Sequence, residues 1–149
     1  MVKDILAISG QPGLFKLVSQ ARNSIIVESL RDGKKSPAYS TSRISALEDI
    51  SIYTDEGDVI LSDIFIKIFE SDMDVDPKSD GKTLKSEFQK VLPDYDEERV
   101  YVSDIKKIFS WYKILKEKGL ITAEAIEKYK KDKEEEEKNE KNESGDDNE

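Results

Sequence analysis

Residues 13–54, GLFKLVSQARNSIIVESLRDGKKSPAYSTSRISALEDISIYT, decide how the rest of the chain is read. Phe15-Lys16-Leu17-Val18 and Ile25-Ile26-Val27-Glu28-Ser29-Leu30 are rich in the β-branched and aromatic residues that suit a pleated, half-buried surface. Between them Asn23 tolerates a positive φ, which suits a turn. Asp32-Gly33 is a hairpin signal, because a type I′ turn needs positive φ at both central residues and this dipeptide accepts it. Pro37 has no N–H to give to a ladder, so its strand belongs at an edge or begins there. Ser45-Ala46-Leu47-Glu48 has room for one 3₁₀ turn only, and Ile50-Ser51-Ile52-Tyr53-Thr54 alternates with Ile50 and Ile52 on one face. Short antiparallel strands, a 3₁₀ turn and a last strand predict a small SH3-like or Sm-like β-barrel over residues 1–60, closed by that last strand.

Toward the N-terminus, Ile5-Leu6-Ala7-Ile8 reads as a first strand or a helical turn, and Gly10, Pro12 and Gly13 make the next link a loop. The Gly10–Gly13 pair fails as a phosphate loop: no Lys-Ser or Lys-Thr follows, and no helix opens there. Toward the C-terminus, residues 61–79 read as a helix and an acidic linker. Ser62 stands at an N-cap position before Asp63, and Leu61, Ile64, Phe65, Ile68 and Phe69 form one apolar stripe. From Asp76, DPKSDGKTLKSE has Asp, Asp, Gly and Glu where a calcium loop wants them. Lys78, however, falls on a ligand position and would repel the cation, so a solvated loop is expected and no metal.

Residues 80–129 read as a small α-helical domain. Leu84, Phe88, Val91 and Leu92 make one stripe, stopped by Pro93. Ser103 is expected to cap the next helix, whose buried face is Ile105, Ile108, Phe109, Tyr112 and Leu115. Trp111 continues that face and reads as core, and Gly119 ends the helix. Thr122 caps a last helix with Ala125, Ile126 and Tyr129. The tail, residues 130–149, has no apolar residue. A turn or two of helix is expected there through Glu–Lys pairs, and disorder beyond Asn139.

The net charge of −9 is unevenly spread: residues 1–60 carry −1, residues 61–128 carry −3 and residues 129–149 carry −5. A nearly balanced body argues against strong, sequence-independent nucleic-acid binding, which wants a basic stripe. It leaves room for a local basic face. No run approaches ~20 apolar residues, and the N-terminus is no secretion signal, so a cytoplasmic protein off the membrane is expected. Cys and His are both absent. That removes thiol nucleophiles, the commonest general base and most zinc sites, so no catalytic residues, no cofactor and no small-molecule substrate are expected.

The segments ILAISGQPGLFKLVSQ (5–20), SIIVESL (24–30), ISALEDISIYT (44–54) and RVYVSDIKKIFSWYKIL (99–115) resemble a family of uncharacterised proteins from Bacteroidetes-type bacteria, catalogued as a domain of unknown function. The resemblance spans about residues 4–128 and implies a cytosolic two-part protein with no assigned activity and no cofactor. Taken together, the chain reads as a non-catalytic interaction module for an unidentified protein partner, with RNA binding as the alternative. The candidate surface is the hairpin of Arg31, Lys34 and Lys35 with Lys16, Arg43, Tyr39 and Tyr53 around it. A groove between barrel and helices is the second candidate.

Overall fold

β1 (Ile5–Ile8) is flanked by β2 (Phe15–Gln20) and β5 (Ile44–Ala46), and β3 (Ser24–Ser29) and β4 (Lys35–Tyr39) follow beyond β2. All pairings are antiparallel, in the order β4-β3-β2-β1-β5. The structure, a computed structural model, describes residues 1–11, 13–39 and 43–146, with side chains as far as Lys138. Pro37 sits on the edge strand β4. The Ser29 N–H donates to the Lys34 carbonyl at 2.9 Å, and the alternation set by that bond turns the Pro37 nitrogen away from β3. The hairpin at Asp32-Gly33 forms, but only Gly33 takes a positive φ (73°), so the turn is not type I′; Asn23 likewise keeps a negative φ.

The sheet cannot lie flat. Five Cα steps from Tyr39 to Ile44 reach at most about 18 Å, whereas four strand spacings across a flat sheet would be about 19 Å. The sheet therefore rolls over one of its own faces, and Leu6, Ile8, Phe15, Val27 and Ala38 bury one another inside the roll.

Rolled, it still does not close, and here the barrel expectation is overturned. The final strand β6 (Ser51–Thr54) leaves the sheet and pairs with β7 (Gly57–Ile60), with Thr54 opposite Gly57 and Ser51 opposite Ile60. A partner two residues away costs about 1.5 kcal/mol less loop entropy than one at the far edge of the sheet. The turn is held by the Thr54 hydroxyl, which donates to the Gly57 carbonyl and accepts from the Glu56 N–H, with Gly57 at φ 129°. The fold is α+β: an open, rolled antiparallel sheet, a separate hairpin and four helices.

Those helices are α1 (Leu61–Glu70), α2 (Gly81–Val91), α3 (Val102–Glu117) and α4 (Ala123–Asp146). Their apolar stripes converge with the outer face of the sheet: Leu61, Ile64, Phe65, Leu84, Phe88, Ile105 and Phe109 pack in one core with Val2, Ile5, Leu14 and Leu47. Each such side chain, taken fully from water, contributes about 1.5–3 kcal/mol. Phe88 anchors the centre, edge-on to Tyr95 at 5.0 Å and to Phe109 at 6.2 Å. Two caps differ from expectation. α1 and α3 each open two residues earlier than read, with Ile60 and Tyr101 at the caps, so Ser62 and Ser103 lie in the first turn, and Asp104 accepts the Tyr101 N–H at 3.0 Å.

The tail is a second correction. α4 runs on to Asp146, past the point where disorder was expected; residues 147–149 lie outside the described residues. Two ion pairs to α1 hold its middle, Lys130–Glu70 at 2.7 Å and Lys133–Asp63 at 3.2 Å, and Glu127–Lys131 adds an i,i+4 pair.

Candidate binding cleft

The loop after β1 reverses tightly, with Gly10 at φ 83° and Gly13 at φ 85°, a region that favours glycine. Its Ser9 N–H donates to the Arg43 carbonyl at 2.9 Å and its Gln11 N–H to the Ile8 carbonyl at 3.1 Å, which ties the loop to the start of β5. Across from it, α3 presents the flank opposite its core stripe: Ser103, Lys106, Lys107, Ser110 and Lys113. The turn before α2 closes a third side. There Asp76 accepts the Lys78 N–H at 2.9 Å, and Lys78 lines the space. These segments enclose a cleft of about 920 Å³, floored by Ala7, Ile8, Ile50 and the half-buried Trp111.

Charge is the cleft's main property. Arg43, Lys78, Lys106, Lys107 and Lys113 face a single carboxylate, Asp76. Among the described residues none of the five cations is in an ion pair; the pairs that form use Lys90, Arg99, Lys130, Lys131 and Lys133. The lining thus carries +4 in a chain of −9, which leaves −13 elsewhere. Like charges gathered on a concave surface with an apolar floor focus their field and raise the local concentration of anions.

A smaller cleft of about 260 Å³ adjoins it between β6 and α3 and shares Ile50, Lys107 and Trp111. Arg99 lies on its border, 4.2 Å above the Tyr53 ring and 2.8 Å from Asp96. The guanidinium bond to Asp96 holds that carboxyl below the ordinary carboxylate range. The carboxylates of the calcium-like stretch are spent on backbone: Asp76 on Lys78 and Asp80 on the Thr83 N–H at 2.8 Å, as the cap of α2. No group of three or more His, Cys, Asp or Glu side chains able to hold a metal ion is present among the described residues.

The seven residues singled out from sequence fall into separate places: Lys16, Arg31, Lys34 and Lys35 share the β3–β4 hairpin end of the sheet, where Lys16 and Lys35 flank Glu28, and the other three lie elsewhere. Arg43 lines the large cleft and Tyr53 the small one. Arg31, Lys34 and Lys35 stand exposed at the β3–β4 hairpin, Lys16 faces Glu28 across β2 and β3, and Tyr39 is exposed at the end of β4. The groove between sheet and helices does exist, and its cations were passed over. Lys106, Lys107 and Lys113 lie off the apolar stripe of α3; Tyr112 is buried in the core, and Trp111 is half-buried against that core while bordering both clefts.

Two family models match the chain, one described as Domain of unknown function (DUF5606) over residues 2–47 and one as Domain of unknown function (DUF6852) over residues 50–115. A solution NMR structure of a protein from Bacteroides vulgatus, determined by the Northeast Structural Genomics Consortium, is similar at 39% identity and TM-score 0.69, over 82% of this chain and 90% of that one. No protein of curated function matches. Among the described residues, no helix is long and apolar enough to cross a membrane.

Proposed function

Because the chain belongs to the uncharacterised, Bacteroidetes-type family of that protein, built of two domains of unknown function, we propose its role from the cleft. The protein is a non-catalytic binding module that holds an acidic segment of a partner protein between α3 and the sheet. The observation that carries this reading is the set of five cations, unpaired among the described residues, around one carboxylate in an otherwise acidic chain. The lack of any His or Cys in the sequence supports the non-catalytic part.

A protein segment suits the cleft better than RNA. A nucleic-acid strand extending past the lining meets a surface of charge −13, and like-charge repulsion acts over about 10 Å at 0.1 M salt. A short acidic peptide confines its charge to the basic part. Single-stranded RNA also wants exposed rings to stack on, and the one ring in the large cleft, Trp111, is half-buried in its floor.

The sequence contains one tryptophan, so fluorescence of Trp111 reports on this site alone. Titration with an acetylated tetraglutamate amide at low salt is expected to change that emission saturably, and Lys106→Glu with Lys107→Glu to abolish the change. Tighter binding of an oligouridylate than of the peptide would replace the protein-segment reading with RNA binding. No response to either would end both.

A further inference from the structure

The two adjoining clefts differ in chemistry, and the difference specifies the partner further. The small cleft is walled by Ile50, Ile52, Tyr53, Val100, Ile108 and Trp111. Two of its charged neighbours are already engaged: Arg99 is paired with Asp96 and stacked on Tyr53, and Asp104 accepts the Tyr101 N–H; the third, Lys107, stands where the two clefts meet. At about 260 Å³ it falls below the ~300 Å³ at which pockets for whole small molecules begin. It has room for one bulky apolar side chain. The large cleft carries the positive charge, and Ile50, Lys107 and Trp111 form the boundary between the two.

We infer that the groove recognises a bipartite motif, a run of carboxylates over Arg43, Lys106 and Lys113 with one bulky apolar side chain seated beside it against Ile52, Tyr53 and Ile108. This rests on the acidic-segment reading and adds the specificity pocket. Charge complementarity places the acidic part; the mainly apolar walls of the small cleft place the other. The carboxylates supply attraction at long range and the apolar side chain supplies selection, because surface ion pairs with lysines have loose geometry and discriminate weakly among acidic segments.

The experiment compares three acetylated, amidated peptides by Trp111 fluorescence: tetraglutamate, tetraglutamate with a phenylalanine at either end, and tetraglutamine with the same phenylalanine. In one of its two placements the phenylalanine is expected to strengthen tetraglutamate binding by about tenfold or more, the gain from burying one such side chain. The glutamine peptide is expected not to bind. Ser51→Leu, which crowds the small cleft, should return the phenylalanine peptide to the affinity of plain tetraglutamate and leave tetraglutamate itself unchanged. Tyr53→Ala, at a 42% exposed position, should halve the gain or more without risk to the core. If tetraglutamate binds and phenylalanine adds less than twofold at both ends, the bipartite motif is refuted while the acidic-segment reading stands. Should both acidic peptides fail, the cleft reading falls and the motif with it; equal binding of the glutamine peptide would remove the role of charge.

Discussion

The electrostatic claim is testable without any ligand, because Trp111 sits among the cations and small ions sense their field. Consider iodide and caesium as collisional quenchers of opposite charge. A unit charge about 8 Å away in water contributes roughly 0.5 kcal/mol, and screening at 0.1 M salt cuts this to about 0.2 kcal/mol. A lining of +4 then gives on the order of 0.9 kcal/mol, favourable for iodide and unfavourable for caesium. The ratio of their quenching constants, normalised to free N-acetyltryptophanamide, is expected at about five to twenty. The lower end allows for the negative charge on the rest of the surface. At 1 M salt, where the screening length is about 3 Å, the ratio should fall close to one. Lys106→Glu with Lys107→Glu leaves three cations against three carboxylates in the lining; the remaining acidic surface then dominates and the ratio should drop below one. Caesium quenching as well as or better than iodide in the parent protein at low salt would refute the focused positive field and the binding role built on it.

Tyr112 is 5% exposed and its hydroxyl has no hydrogen-bond partner among the described residues. A buried hydroxyl left unsatisfied costs about 1–3 kcal/mol. Tyr112→Phe is therefore expected to raise the melting temperature, by about 2–4 °C for each kcal/mol recovered; a lower melting temperature would show that the hydroxyl is bonded in the folded protein. The same side chain sets a pH dependence. Burial holds the phenols of Tyr95, Tyr112 and Tyr129 above their ordinary value of 10.0, with nearby carboxylates adding to it. The unfolded chain releases these protons first, so stability is intact below about pH 10 and declines as pH rises from there toward the folded-state values. Urea midpoints measured from pH 8.5 to 11.5 should show that decline, and Tyr112→Phe should flatten it. Thr122 accepts the Ala125 N–H at 3.0 Å as the cap of α4, so Thr122→Ala should cost about 1 kcal/mol in denaturant unfolding. Phe88→Ala, which empties a site between Tyr95 and Phe109, should cost about 3–5 kcal/mol and lower the urea midpoint accordingly.

What was legible in the sequence follows how far each signal has to reach along the chain. The stripe of Leu61, Ile64, Phe65 and Ile68 is written within eight residues, and all four are fully buried. Gly119 at φ 73° and the Thr122 cap are equally local. Pro37 marks an edge because a missing N–H is a property of one residue. Pairing is another matter. Ile50 to Thr54 announces a strand but not its partner, and Gly57-Asp58 reads as turn chemistry although both residues belong to β7. Nothing in the alternation of β6 separates closing a barrel from folding back on the next four residues; loop entropy favours the near partner, by about 1–2 kcal/mol.

The cleft stood furthest from view, for the same reason. Its walls come from residues 9–11 and 13, from residues between 43 and 50, from 76–78 and from the 103–113 part of α3, stretches whose meeting no local period records. Seen alone, Lys106, Lys107 and Lys113 are what any exposed helix face carries, and as a solvated face they would do no more than keep the chain in solution. Rolling the sheet alters that. It sets Ser9, Gly10, Gln11 and Arg43 against the same flank of α3 and puts an apolar floor beneath the cations. The pairing carboxylates that such lysines often find on their own helix are missing, since the acidic residues of α3 are Asp104, which is turned to the Tyr101 N–H, and Glu117 beyond the cleft. Five cations unpaired among the described residues around one concavity of an acidic protein are a charge open to neutralisation, which is why the proposed partner is one that brings carboxylates.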